Sequence, residues 1–298
     1  MPDKTFCITS LVRLVAATLL LSLATPSAMA REARDYRNDR PEYPGTNLIR
    51  RIFGENRLYF RAGATYLYPD LNTRSIELKN LSNIAEVAVE PGPQNGEAFS
   101  DPLLLFPSAI IGYVLPWGDG GWSVETLAAL PPTLSLKIKG EIADVPLAEE
   151  AQGIPTGVPP LGSSVAETKA LPPIVTLVKR FRMHSDFRPY AGLGLTYLYT
   201  YDSKVTNPIL TEFGRPDLDI ENKFGWVAQI GFDYKIYRYW WANLDVKYVS
   251  VPKVRATMEN TFIRAPGLPQ FQFVEVGDAE FVADLNNIAV HVGLGFTF

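Results

Sequence analysis

Between Leu171 and Tyr201 the chain reads LPPIVTLVKRFRMHSDFRPYAGLGLTYLYTY, with alternating runs from Ile174 to Phe181 and from Arg188 to Tyr199 around the polar break Met183-His184-Ser185-Asp186. Period-two alternation on both sides of a short break is the sequence form of a hairpin of two half-buried strands. In the second run Ala191, Leu193, Leu195, Tyr197 and Tyr199 share one face, while Tyr190, Gly192, Gly194 and Thr196 share the other. The apolar face ends in tyrosines, whose amphipathic rings suit headgroup level. The opposite face is small and polar. Such a strand stands between lipid and a lumen. Backbone groups inside hydrocarbon must pair within the protein, so the hairpin predicts a closed membrane barrel.

The first thirty residues set the compartment. Lys4 and Arg13 make a basic start, Leu14 to Leu23 an apolar stretch, and Ala28-Met29-Ala30 a small-residue cleavage site, so residues 1–30 are expected to be a signal peptide cut after Ala30. No later run approaches the ~18 consecutive apolar residues of a spanning helix. Cys7 is the only cysteine and falls inside that signal, which excludes disulfides, thiolate metal sites and a cysteine nucleophile from the exported chain. Neither metal nor cofactor is expected. Removing Lys4, Arg13 and Asp3 with the signal leaves 26 basic against 31 acidic residues, a net of −5, so there is no basic surplus for nucleic acid.

Residues 31–56 are polar, charged and unpatterned, and are expected to be a periplasmic N-terminal extension. From Arg57 the alternation begins: Leu58, Phe60, Ala62, Ala64, Tyr66 and Tyr68 lie on one face of strand one. Ala109 to Leu115 and Trp122 to Leu130 mark strands two and three around a tight turn, and the opening hairpin supplies four and five. Trp226 to Tyr234 and Ala242 to Tyr248 follow around a second tight turn, and Ile288, Val290, Val292, Leu294, Phe296 and Phe298 close the chain. Four long connections, about 70–102, 131–170, 202–222 and 251–283, alternate with short ones. This is the pattern of an all-β, eight-stranded antiparallel up-and-down transmembrane barrel over 57–298, with long extracellular loops and tight periplasmic turns. The terminal Phe298 fits the signal read by the outer-membrane assembly machinery, so that machinery and outer-membrane lipid are the expected partners.

The runs LPP at 171–173, FRPYAGLGLTY at 187–197, GWVAQIGFDY at 225–234, NLDVKY at 243–248 and the terminal GLGFTF, in that order, resemble the outer membrane protein W (OmpW) family of Gram-negative bacteria. The resemblance implies an eight-stranded outer-membrane barrel with a narrow, partly hydrophobic lumen that helps small hydrophobic molecules cross. The 131–170 and 251–283 loops are longer and richer in proline than the family pattern suggests.

Threading the chain up and down from a periplasmic N-terminus gives each inward residue a height. Leu67, Ile110, Leu127, Ala129, Ile174, Leu198, Val227 and Val249 are expected near the outside, forming an apolar upper lumen for a small hydrophobic solute. Arg61, Glu125, Arg180, Arg188, Asp233, Lys235, Asp245 and Lys247, with Tyr59, Tyr190, Asn243 and Thr297, are expected lower down. An eight-stranded barrel encloses little more than side chains, and unpaired buried charge costs several kcal/mol, so the lower set is expected to pair into a plug. Lys179 falls on the lipid face, tolerable where it reaches the periplasmic rim.

Two other functions compete. A non-transporting surface barrel, an adhesin or envelope-stabilising protein, would use the apolar loop residues Phe262, Ile263, Phe271, Phe273 and Val274 to meet a partner. A lipid-modifying barrel enzyme would need a histidine beside a serine and a carboxylate on the lipid face. His184 falls in a turn and His291 faces inward, so no catalytic residue is expected. Gly192-Leu193-Gly194 lacks the helix and third glycine of a dinucleotide loop.

Overall fold

The computed structural model describes residues 57–297 except 88, 90, 102–103, 118–120, 147, 171, 238–239 and 269–272. The expected signal peptide, the N-terminal extension and Phe298 lie outside the described residues. Eight strands form the wall: β1 Leu58–Tyr68, β2 Leu104–Val114, β3 Trp122–Ala129, β4 Ile174–Arg180, β5 Phe187–Leu198, β6 Lys223–Tyr237, β7 Trp240–Ile263 and β8 Val274–Thr297. Each pairs antiparallel with its chain neighbour, and β8 returns to β1 from Thr297↔Tyr59 to Ile288↔Tyr68, so the sheet closes without an edge.

The alternation runs the expected way round. Leu193 and Leu195 stand 69% and 64% exposed on the outer surface, as do Val175, Phe224 and Val292 elsewhere around the wall, while Ile110, Val178 and Val227 are wholly buried inside. A continuous belt of large exposed apolar side chains has no place in water, but in a bilayer it is the surface that lipid covers. Aromatic rings edge the belt at both levels. Tyr197 packs on Phe224 and Trp226 on Tyr248 toward the extracellular end, and Trp122, Tyr234, Tyr237 and Trp240 stand exposed at the other. Lys179 places its Nζ 5.3 Å from the Trp122 ring centroid at that rim, where its stem stays in hydrocarbon and its charge reaches the headgroups.

The segments expected as long loops are folded. Strands β7 and β8 continue beyond the membrane as a hairpin to Ile263 and Val274, so much of 251–283 is strand. After Pro69 the chain rejoins the same neighbour as Leu71–Lys79, paired to β8, and Asp217–Ile220 pairs to β7. Facing this half-shell is a second sheet of Thr200–Val205, Ser164–Ala170, Thr133–Lys139 and Glu97–Phe99. Its central strands prolong β3 and β4, from which they are separated by Pro131-Pro132 and Pro172-Pro173. Proline has no N–H to donate, so the ladder stops there and restarts above. Between the two half-shells lies an apolar core that includes Leu78, Leu161, Leu210, Ile263, Val274 and Val276. Ile263 and Val274, two of the apolar residues expected to face a partner, are thus interior. Phe262 is half-buried and Phe273 is exposed against Phe213, while Phe271 lies outside the described residues.

Candidate functional site: a charged floor beneath an apolar shaft

Toward the periplasmic end the inward positions of six strands carry polar groups that meet across the lumen. Glu125, 1% exposed, takes Arg61 Nη1 at 2.9 Å, Arg180 Nη2 at 2.5 Å and the Tyr59 hydroxyl at 2.5 Å on Oε1, and Gln229 Nε2 at 2.7 Å on Oε2. Asp233 accepts from Arg61 at 2.8 Å, from Arg180 at 3.2 Å and from Asn243 at 2.9 Å. Asp245 accepts from Tyr190 at 2.8 Å and Gln229 at 2.6 Å and is paired with Lys247. The Arg180 Nη1 also reaches Ser123 at 2.6 Å. Arg61, Arg180 and Lys247 thereby balance Glu125, Asp233 and Asp245, and all six are buried. Each carboxylate has several donors, which is what lets charge stay buried without a ruinous desolvation cost.

Tyr59 and Tyr190 flank the guanidiniums. Arg180 lies 4.4 Å and 5.5 Å from their ring centroids, and Arg61 4.8 Å and 5.2 Å. Two glycines make room for the rings: a Cβ on Gly112 would stand 2.0 Å from the Tyr59 ring, and one on Gly231 2.5 Å from that of Tyr190.

Two of the expected charges lie elsewhere. Arg188 and Lys235 lie near the turn ends of β5 and β6, where Arg188 rests 4.1 Å from the Trp241 ring centroid and Lys235 5.9 Å from it. At that depth a long cation reaches the rim more easily than the lumen centre. Tyr59, Tyr190 and Asn243 stand among the charges as expected, while Ser123 and Gln229, which sequence reasoning did not name, were legible only as inward positions, and which of these groups converge depends on the closure of the barrel.

Above the charges the lumen turns apolar. Ile174, Val227 and Val249 pack together with Leu127 against them. Ile110 is wholly buried between Arg61 and Leu127 in the ladders, where charge gives way to the apolar layer. Open space begins higher. A cavity of about 80 Å³ is bounded by Leu67, Leu134, Leu198, Val254, Phe281 and Leu285, among others. Ala129, half-buried at the top of β3, is not among its lining residues. A second cavity, of about 130 Å³, continues it between the half-shells and is bounded by Leu78, Ile138, Ile142, Met258, Ile263 and Val276, with others. Leu136, Ala256 and Phe281 line both, so the two chambers adjoin, one above the other.

The shortest ladder of the wall is the one between β3 and β4. The β3–β4 ladder runs only from Lys179↔Trp122 to Val175↔Thr126, whereas β5–β6 runs from Phe187↔Tyr234 to Leu198↔Lys223. Above Thr126, β3 leads to Pro131-Pro132 and β4 begins after Pro172-Pro173, leaving Leu127 beside an unladdered stretch.

His291 is inside the lumen, as its alternation requires. Its Nδ1 lies 2.9 Å from Ser108 Oγ and 3.2 Å from Thr65 Oγ1, and Nε2 has no partner among the described residues. Among the described residues the trio thus has no carboxylate on the histidine's second nitrogen, the group that orients the base in a Ser-His-Asp triad.

The OmpW family model matches residues 121–298, from just before β3 to the end of the chain. The chain belongs to the OmpW family. Outer membrane protein W of Vibrio cholerae is 37% identical over 94 residues, which is 30% of this chain and 43% of that protein. An outer-membrane protein of Sinorhizobium fredii is 35% identical over 89 residues, 30% of this chain and 36% of its own. The chain thus spans about two fifths of the length of these curated relatives. The crystal structure of outer membrane protein OprG from Pseudomonas aeruginosa superposes with a TM-score of 0.60 at 20% identity, covering 82% of this chain and 96% of that one. The OmpW-family chain is an outer-membrane β-barrel.

Proposed function

We propose that this OmpW-family barrel assists small apolar molecules across the outer membrane. A solute enters the upper chamber between the half-shells, descends into the lower one, and stops on the layer of Leu127, Ile174, Val227 and Val249. The balanced charges beneath block a straight route to the periplasm. The solute therefore leaves sideways, through the unladdered stretch between β3 and β4, into lipid. The observation that carries this reading is the shaft itself: two apolar chambers sharing Leu136, Ala256 and Phe281 above a buried layer of matched charge. Water and ions gain nothing from such a lining, whereas an apolar solute gains about 25 cal/mol for each Å² it removes from water.

The test is uptake of an apolar fluorophore into proteoliposomes. Leu198→Asp in the lower chamber and Leu127→Asp on the floor each place a carboxylate on the route, and uptake is expected to fall at least tenfold while the heat-shifted gel band of the folded barrel persists. Unchanged uptake in both variants sinks the reading.

A further inference from the structure

Each stage of the apolar shaft holds one hydroxyl that has no hydrogen-bond partner among the described residues. Thr261, 4% exposed, lines the upper chamber, and its Oγ1 has no partner among the described residues. Ser100, 8% exposed, lines the lower chamber with its Oγ in the same condition. Thr196, 2% exposed and opposite Ile174 in the ladder, repeats the feature at the level of the floor. A buried polar group left unmade is destabilising, so such groups in a native fold ask for an occupant that completes them.

The chain also departs from regular alternation to place the first of these. Inward residues on β7 run through Ala256 and Met258, and continued alternation would turn Asn260 inward. Instead the register shifts between Met258 and Thr261, with Asn260 at φ 57°, and Thr261 takes the inward place opposite Gly277. A bulge re-aims side chains. Here it sets a hydroxyl in a wall whose other residues are apolar apart from Lys137, which is paired with Asp101.

We propose that the shaft selects apolar molecules bearing a single hydroxyl or carbonyl over bare hydrocarbons of the same shape, handing the polar group from Thr261 to Ser100 to Thr196. This rests on the transport reading above and names the solute class. The upper chamber, about 130 Å³, is close to the ~150 Å³ engineered cavity that takes up benzene, so a one-ring molecule is the right scale.

Phenol and toluene differ by hydroxyl against methyl at nearly constant shape, and Thr261→Val makes the same exchange in the wall. With the full-length barrel in nanodiscs, methyl NMR of Ile138, Ile142 and Met258 reads occupancy of the upper chamber. Comparing variant with wild type in the same lipid cancels partitioning into the bilayer. Thr261→Val is expected to weaken phenol roughly three- to tenfold, the worth of one neutral hydrogen bond, and to leave toluene unchanged. Without ligand it should raise the unfolding midpoint, because an unbonded hydroxyl has been replaced by a methyl. Ser100→Ala and Thr196→Val should slow phenol uptake into proteoliposomes and spare toluene. A phenol-to-toluene ratio untouched by Thr261→Val, or a lowered midpoint, overturns the inference while transport stands. If neither compound perturbs the chamber methyls or enters liposomes, the transport reading falls with it.

Discussion

Replacing Glu125 with glutamine keeps the shape of the side chain and removes one of three buried negative charges, leaving Arg61, Arg180 and Lys247 against Asp233 and Asp245. The change also sets an amide donor among Arg61, Arg180, Tyr59 and Gln229, all of which donate to the carboxylate now. Removing one partner of a buried ion pair costs about 3–5 kcal/mol, because the surviving charge stays desolvated. Glu125→Gln should therefore lower the stability of the barrel by about that amount, read from urea unfolding in lipid vesicles by tryptophan emission. An exposed pair gives the contrast. Removing Asp101, which bonds Lys137 at 2.5 Å in the outer sheet with both side chains about a third exposed, should cost about 0–1 kcal/mol. Adding Arg180→Met to Glu125→Gln removes one charge of each sign, so the pair should be less harmful than the sum of its parts by about 2–3 kcal/mol. A Glu125→Gln cost below 1 kcal/mol, or strict additivity with Arg180→Met, would mean that water reaches these charges and that no sealed floor exists.

Other expectations follow from the same geometry. Glu125→Ala should admit ions, raising single-channel conductance in planar bilayers from near closure to a measurable step. Gly112→Ala pushes a methyl into the Tyr59 ring and should cost about 1–3 kcal/mol, seen as a lower temperature for loss of the folded gel band. In the outer sheet Asp202 is held at about 2 by hydrogen bonds from Lys169 and Lys204. A carboxyl depressed in the folded state stabilises it above the ordinary carboxylate range near ~4, and that contribution is lost as the pH falls through about 2. Amide exchange across Thr200–Val205, corrected for intrinsic rates, should thus quicken between pH 4 and pH 2, and Asp202→Asn should abolish the change.

The membrane wall was legible because its two faces meet different solvents: Leu193 and Leu195 against Gly192 and Gly194 is a signal that no loop produces. The outer chamber was harder to see. Leu134, Leu136 and Ile138 do alternate with Ser135 and Lys137, yet flanking prolines, and the serines and glycines of 131–170, make the stretch read as loop. On β7 the bulges near Lys253 and Asn260 shift the phase, so a single alternation drawn from Ala242 onward fails after Val251. The charged residues of the plug were visible as types at inward positions. Their partners were not, because Arg61 and Asp233 lie 172 positions apart and meet only when the cylinder closes.

The paired prolines at 131–132 and 172–173 separate two kinds of architecture on one polypeptide. Since the β3–β4 ladder stops below those joints, the strands above them can be exchanged, shortened or retuned without unpicking it, while the β7–β8 ladder carries the other half of the chamber straight up from lipid. A lineage, or an engineer, can thus change what is admitted while inheriting the same membrane mount.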